Sequence, residues 1–322
     1  MKNTKTILVT GGAGFIGSNL CAFLIDSGYN VICLDNLMTG NEKNFELLSK
    51  NAAFTFVQGD IRDYETCLEM TKNISAVSHQ AALGSVPRSI ENPIPTNEIN
   101  CQGFLNMIQA ARVNGVKRFV YASSSSVYGD STASPKREED LGKPLSPYAV
   151  SKLTNELYGR IFSDLYGMET IGLRYFNVFG KNQDPNGAYA AAIPKFIQIM
   201  RDQKSPVIYG DGNQTRDFTY IRNVLSANKL ALETTNKNCF GESYNVACGK
   251  SYSLNYVVEI IRTELVRFGL PVENLRCDYS EQRKGDILNS LADITKIKRD
   301  LGFKIETDFD EGMREYISQI LA

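Results

Sequence analysis

The sequence predicts an α/β protein built on a doubly wound parallel sheet, followed by a smaller C-terminal domain. Three observations carry that expectation. A short apolar strand runs directly into a glycine-rich turn, Gly11-Gly12-Ala13-Gly14-Phe15-Ile16-Gly17. Strand-like runs then recur at 6–10, 30–34, 54–57, 75–79, 118–123 and 170–174, with helical patterns at 63–72, 97–114 and 147–166 between them. Such alternation marks βα units feeding a parallel sheet. Finally, 322 residues exceed what one small core accommodates.

Thr6 to Thr10 is a continuous apolar run, as suits a strand buried on both faces. After the glycine turn, Phe15, Ile16, Leu20, Phe23 and Leu24 repeat with helical spacing and stop near Gly28. Asn30 to Leu34 forms the second strand, closed by Asp35 and Asn36. Strand, glycine turn, helix, strand and acid in this order distinguish a dinucleotide site from an isolated glycine triplet. Gly11, Gly14 and Gly17 permit the tight turn, the approach of backbone to a pyrophosphate, and close helix–strand packing. Phe15 and Ile16 stand at the helix N-terminus that would face the phosphates. Asp35 would accept a ribose 2′-hydroxyl and repel a 2′-phosphate, which favours NAD over NADP.

Ligands in doubly wound sheets lie beyond the carboxyl ends of the strands. Asp60 and Ile61 follow the third strand and could meet adenine. Ala81-Ala82-Leu83 follows the fourth, where small side chains admit a cofactor, although a plain loop explains the alanines equally well. Ser123 to Ser126 follows the fifth, and a turn rarely needs four hydroxyls after a buried strand.

Ser146-Pro147-Tyr148-Ala149-Val150-Ser151-Lys152 opens the helix that follows. Proline suits a first turn, and Ser146 suits an N-cap. Tyr148 and Lys152 then share a face at i and i+4. A phenol with a pKa near ~10 becomes a base at pH 7 only with about 4 kcal/mol of help. A neighbouring ammonium supplies part of that, and a bound cationic ring more. The pair alone proves little, since a chain with 16 tyrosines carries about one Tyr-x-x-x-Lys by chance. Its weight comes from the glycine turn, the serine run and their order.

Apolar content of 43%, charge of 22% and a net charge of −1 describe an ordinary globular protein. They offer no electrostatic case for nucleic acid or an anionic membrane. No apolar run approaches the ~20 residues of a membrane helix. Met1 to Lys5 leads straight into a strand rather than a signal peptide, and seven scattered cysteines read as buried thiols in a reducing cytoplasm. One histidine, His79, cannot build a metal cluster.

Residues 1–180 are therefore expected to form the dinucleotide-binding domain and 181–322 a substrate-binding domain, with helices near 189–202, 221–235, 253–268 and 309–320. The run 243–247 is a candidate to return to the first sheet, which would blur the boundary.

Taken together the motifs resemble the extended short-chain dehydrogenase/reductases, and within them the UDP-N-acetylglucosamine 4-epimerases. The resemblance spans nearly the whole chain. It rests on Gly11-x-x-Gly14-x-x-Gly17, Asp60-Ile61-Arg62, His79-Gln80-Ala81-Ala82, Ser123 to Gly129, Tyr148-x-x-x-Lys152, Leu173-Arg174-Tyr175-Phe176-Asn177-Val178, Arg216-Asp217-Phe218 and Arg283-x-Gly285-Asp286. Gly84-Ser85-Val86-Pro87-Arg88-Ser89 and Asp184-Pro185-Asn186-Gly187-Ala188-Tyr189 look like the N-acetylhexosamine subgroup.

The resemblance implies a Rossmann-type fold, resident NAD, and 4-epimerisation of UDP-N-acetylhexosamines through a transient 4-keto sugar, with UDP-Glc and UDP-Gal as further candidates. It implies that Tyr148 takes the 4-hydroxyl proton, that Ser124 bonds the same oxygen, and that Lys152 holds the nicotinamide ribose, with Tyr175 also at the cofactor. Arg216 and Arg283 match diphosphate-binding arginines, and Asn177 and Asp286 lie in matched motifs. Gly84, Ser124, Asn177, Ala191 and Ser290 match the pocket pattern of the N-acetyl-preferring members, and Ser85, Arg88, Ser125 and Ser126 are further substrate-binding candidates. Phe196, Val207 and Tyr209 are candidates for the uridine pocket, where packing explains them nearly as well. Ser290 corresponds to a gatekeeper that is bulky in members restricted to unacetylated hexoses. Ile287-Leu288-Asn289 departs from the usual Val-Arg-His. A homodimer through the helices 97–114 and 147–166 is also implied.

Two rivals stand beside this reading. Dehydratases of the superfamily carry an Asp-Glu pair, and decarboxylases a glutamate, where Ser125 and Ser126 stand. A non-catalytic NAD-binding sensor would not need Ser124, Tyr148 and Lys152.

Overall fold

Leu8 and Val9 are neighbours in sequence but pack into different apolar layers, as are Phe119 and Val120. Successive side chains of a strand point to opposite faces. Both faces are therefore covered, and the strands read as unbroken apolar runs. A computed structural model describes residues 4–186, 190–281 and 289–321. Its strands are β1 (Thr6–Thr10), β2 (Asn30–Asp35), β3 (Phe54–Gln58), β4 (Ala76–His79), β5 (Arg118–Ser124), β6 (Glu169–Tyr175), β7 (Val178–Phe179), β8 (Val207–Tyr209), β9 (Thr215–Asp217), β10 (Thr219–Tyr220), β11 (Glu242–Val246), β12 (Ser251–Ser253) and β13 (Asp278–Ser280). The helices are α1 (Phe15–Asp26), α2 (Tyr64–Met70), α3 (Val86–Glu91), α4 (Pro93–Asn97), α5 (Phe104–Val113), α6 (Pro147–Tyr166), α7 (Ala192–Arg201), α8 (Ile221–Glu233), α9 (Leu254–Arg267), α10 (Thr295–Leu301) and α11 (Phe309–Leu321).

The central sheet has the order β3-β2-β1-β4-β5-β6-β11, with every pairing parallel. This is the doubly wound sheet the sequence predicts. The direction of winding reverses between β1 and β4, which opens a crevice beyond their carboxyl ends. α2, α5 and α6 cover one face around Leu8, Val77, Phe104, Phe119 and Phe162. The other layer begins at Val9 and Val120 and continues without a break through Phe176 and Phe179 to Val257 and Ile317. β11 joins the sheet beside β6, from Glu242 opposite Ile171 to Val246 opposite Tyr175. Three two-stranded pairs, β7–β10, β8–β13 and β9–β12, stand outside that sheet. Among the described residues no helix is long and apolar enough to cross a membrane.

One expected helix differs. The pattern at 97–114 is not a single α-helix: α4 runs into a π-helical stretch, Glu98–Gly103, before α5. The wider turn carries Asn100, only 1% exposed, whose side chain accepts from Leu83 N at 2.7 Å and donates to Ser151 Oγ at 3.0 Å. Tertiary hydrogen bonds thus outweigh the regular 3.6-residue period there.

Candidate functional site

A cleft of about 660 Å³ opens over the switch point. Its floor is the glycine turn. Gly11 has φ +68°, and a Cβ there would lie 2.7 Å from the Ala81 backbone. A Cβ on Gly17 would lie 2.1 Å from Gly11 O. Only glycine lets the turn sit against both β4 and the start of α1. No side chain caps α1, and Phe15, Ile16 and Gly17 line the cleft at that end. Uncapped amides at a helix N-terminus suit an anion.

Asp35 closes β2. Its Oδ2 accepts from Ala13 N at 3.0 Å and its Oδ1 from Leu37 N at 2.8 Å. Each oxygen keeps a second lone pair for a ribose hydroxyl. Asn36 Nδ2 donates to Asp60 Oδ2 at 2.9 Å, and Arg62 forks onto the same carboxylate. Arg62 holds the Asp60 carboxyl down to about 2. All of Gly11, Gly14, Phe15, Ile16, Gly17, Asp35, Asn36, Asp60, Ile61, Ala81, Ala82, Tyr148, Lys152 and Tyr175 line this one cleft. The uncapped helix, the glycine cradle and the strand-end carboxylate together fit a dinucleotide.

Tyr148 and Lys152 stand at the far end of the cleft because α6 begins where it does. Ser146 Oγ accepts from Ala149 N at 3.1 Å, and Ser89 Oγ, reaching over from α3, accepts from Tyr148 N at 3.1 Å. Lys152 is 2% exposed and donates from Nζ to Ala122 O at 2.9 Å. That nitrogen lies 5.9 Å from the centre of the Tyr148 ring. Burial pushes the Lys152 ammonium down to about 8. Burial pushes the Tyr148 phenol up, and a hydrogen bond with Ser124 pulls it the other way. Desolvation dominates, and the ammonium is turned to a carbonyl.

Ser124 Oγ also accepts from Ser126 N at 3.2 Å and so starts the 3₁₀ turn that carries Ser125 and Ser126. Ser126 Oγ is buried and meets no hydrogen-bond partner among the described residues. Gly84 and Arg88 line the same cleft. Ser85, at φ +109°, caps α3 by accepting from Arg88 N at 3.2 Å. Tyr175 OH donates to Gln80 Oε1 at 3.0 Å and accepts from Asn228 Nδ2 at 2.9 Å.

The other candidate residues lie outside this lining. Three of them gather on and beside β9. Arg216 stands within it, Ser290 N donates to Thr215 O at 3.0 Å, and Asn177 Nδ2 donates to Asp217 O at 2.9 Å. Val207, 41% exposed, and Tyr209 occupy β8, and Ala191 stands exposed before α7. Phe196 is 5% exposed and belongs to the core, as packing alone would have it. Arg283 and Asp286 lie outside the described residues. Sequence reading missed Ser89, Asn100, Gln80 and Gln183, which reach the site or its supports through tertiary contacts. Ser89 and Gln80 stand in quoted motifs, and nothing local sets Asn100 and Gln183 apart.

A model of the NAD dependent epimerase/dehydratase family matches residues 7–247. A Methanocaldococcus jannaschii protein, provisionally named a UDP-glucose 4-epimerase, is 40% identical over 314 residues, 97% of each chain. A UDP-glucuronate 4-epimerase of Thermodesulfobacterium geofontis is 34% identical over 97% of this chain and 94% of its own. Among solved structures, the UDP-N-acetylglucosamine 4-epimerase of Methanobrevibacter ruminantium, in complex with UDP-N-acetylmuramic acid, is 38% identical. It covers 99% of both chains with a TM-score of 0.92.

Proposed function

Because the chain belongs to the NAD dependent epimerase/dehydratase family, we propose that it is a nucleotide-sugar 4-epimerase that interconverts UDP-N-acetylglucosamine and UDP-N-acetylgalactosamine. The observation that carries this reading is the continuity of one cleft from the glycine turn to Tyr148 and Lys152. A dinucleotide lying along it would end beside Tyr148, a tyrosine that a lysine and a serine both attend.

Bound NAD supplies hydride acceptance and return at the sugar carbon. The side chains supply the proton chemistry. Tyr148 Oη takes the proton of the 4-hydroxyl and gives it back to the same oxygen once the carbon has been reduced on its other face. Ser124 Oγ, beside Tyr148, donates to the same sugar oxygen and steadies its charge. Lys152 holds a positive charge beneath the phenolate. Arg216 would hold the diphosphate, which fixes one end of the substrate while the hexose turns over. Ser125 and Ser126 do not titrate near neutral pH, so the added acid and base that water elimination needs are missing from those positions. This favours epimerase over dehydratase.

Serine at 290 leaves room for a 2-acetamido group, and the N-acetylated ligand of the Methanobrevibacter enzyme supports that choice. The named relatives differ in their sugars, so Ser290→Tyr is the deciding variant. It is expected to abolish conversion of UDP-N-acetylglucosamine while sparing UDP-glucose, measured by NMR of the product sugars. Undiminished conversion of UDP-N-acetylglucosamine would overturn the assignment. The enzyme is read as a cytoplasmic homodimer paired through the helical stretches 97–114 and 147–166.

A further inference from the structure

Asp217 is 0% exposed, next to the arginine proposed for the diphosphate. Strand alternation sends the two side chains opposite ways, so Asp217 faces the interior. Its Oδ1 accepts from Cys248 N at 2.9 Å. Its Oδ2 accepts from Gly249 N at 2.9 Å and from Ala292 N at 3.3 Å. Its own carbonyl accepts from Asn177 Nδ2 at 2.9 Å. One residue therefore fastens four pieces of chain: β9, the turn after β11, the segment 289–292, and the bend after β6. Asn177, Arg216 and Ser290 each stand on one of those pieces. Backbone amides bound to a carboxylate are charge-assisted and hold more firmly than neutral pairs.

We propose that Asp217 is the positioning residue of the nucleotide-sugar site, fixing the segment 289–292 against the Arg216 strand without touching the ligand. This rests on the reading of Arg216 and Ser290 given above. Asparagine at this position keeps the size but loses one oxygen, and its amide nitrogen would face a backbone N–H. The lost bonds fall on the segments that carry the substrate residues, while the glycine turn and α6 are anchored elsewhere.

The test is steady-state kinetics of Asp217→Asn on UDP-N-acetylglucosamine, with bound NAD quantified after denaturation. KM is expected to rise about tenfold or more, because losing a charge-assisted bond is an effect of that order. The value of kcat should stay within about threefold, with NAD content unchanged. Hydrogen exchange should quicken in peptides covering 247–250 and 289–293. Glu264→Gln removes another buried carboxylate, one that meets Arg267 on its own helix α9 and Arg314 on α11, and should leave KM alone. An unchanged KM for Asp217→Asn, or a joint loss of kcat and NAD, overturns the proposal. If that variant does not fold, Ala292→Pro deletes the N–H that the 289–292 segment offers to Asp217 and must raise KM in its place, and an unmoved KM there overturns it equally. A native enzyme that converts no UDP-hexosamine defeats the reading of the site instead, and the exchange experiment still judges Asp217.

Discussion

Tyr148 is asked to give up a proton in surroundings that favour keeping it. Burial raises its phenol, and the helping charge on Lys152 is itself held down to about 8. The sign of the resulting pH dependence follows. Lys152 is cationic below about 8 and loses its charge as pH rises through that value. Support for the phenolate then disappears, so kcat/KM should fall above about pH 8 in a profile taken at saturating NAD. A rate that climbs steadily to pH 10 would contradict this. Tyr148→Phe should cut turnover by about 10²–10⁴-fold, the usual worth of a positioned acid–base group, while NAD remains bound. Residual turnover near the native rate would remove Tyr148 from the chemistry. The positions of Tyr148 and Lys152 are legible in sequence because helical spacing alone aligns them. The direction of the tyrosine shift is not, because it depends on how deeply the hydroxyl is buried.

Helix α6 carries both residues, and its placement depends on a buried charge pair. Glu156, one turn beyond Lys152, accepts from Ser123 Oγ at 2.5 Å and from Arg174 at 2.9 and 2.7 Å. Arg174 Nη1 also donates to Tyr128 OH at 3.0 Å and to Glu138 O at 2.8 Å. The helix is thereby fixed to β5 at the residue before Ser124. Arg174→Met would leave Glu156 buried without its partner, at a cost of about 3–5 kcal/mol. Urea denaturation measures this, and a loss under about 1 kcal/mol would show that the pair does not anchor the helix. The start of α6 is readable in Ser146 and Pro147, a cap and a first-turn proline, and the helix ends at Gly167 in the left-handed conformation. The π-helical stretch before α5 is not readable, since periodicity reports only the 3.6-residue repeat and Asn100 answers to Leu83 and Ser151.

At the scale of the molecule, the parallel sheet was legible because strands buried on both faces leave unbroken apolar runs. The dinucleotide end of the cleft was legible for a related reason: the residues of the glycine turn lie within a few positions of one another. The residues proposed for the nucleotide sugar stand on β9, the bend after β6 and the segment near 290, which come together only through tertiary pairing. α6 also leaves Val150, Leu157, Ile161 and Leu165 between 48% and 67% exposed, on one stripe. Pairing two such stripes would bury them in a homodimer. Leu157→Lys should shift sedimentation from dimer to monomer, and a native protein that sediments as a monomer would refute the pairing. The most direct measurement on the whole account is incubation of the purified protein with UDP-N-acetylglucosamine, without added NAD, followed by NMR. An equilibrium mixture containing UDP-N-acetylgalactosamine is expected, formed on NAD that the protein already holds. A sugar left stereochemically unchanged, even after NAD is supplied, would contradict it.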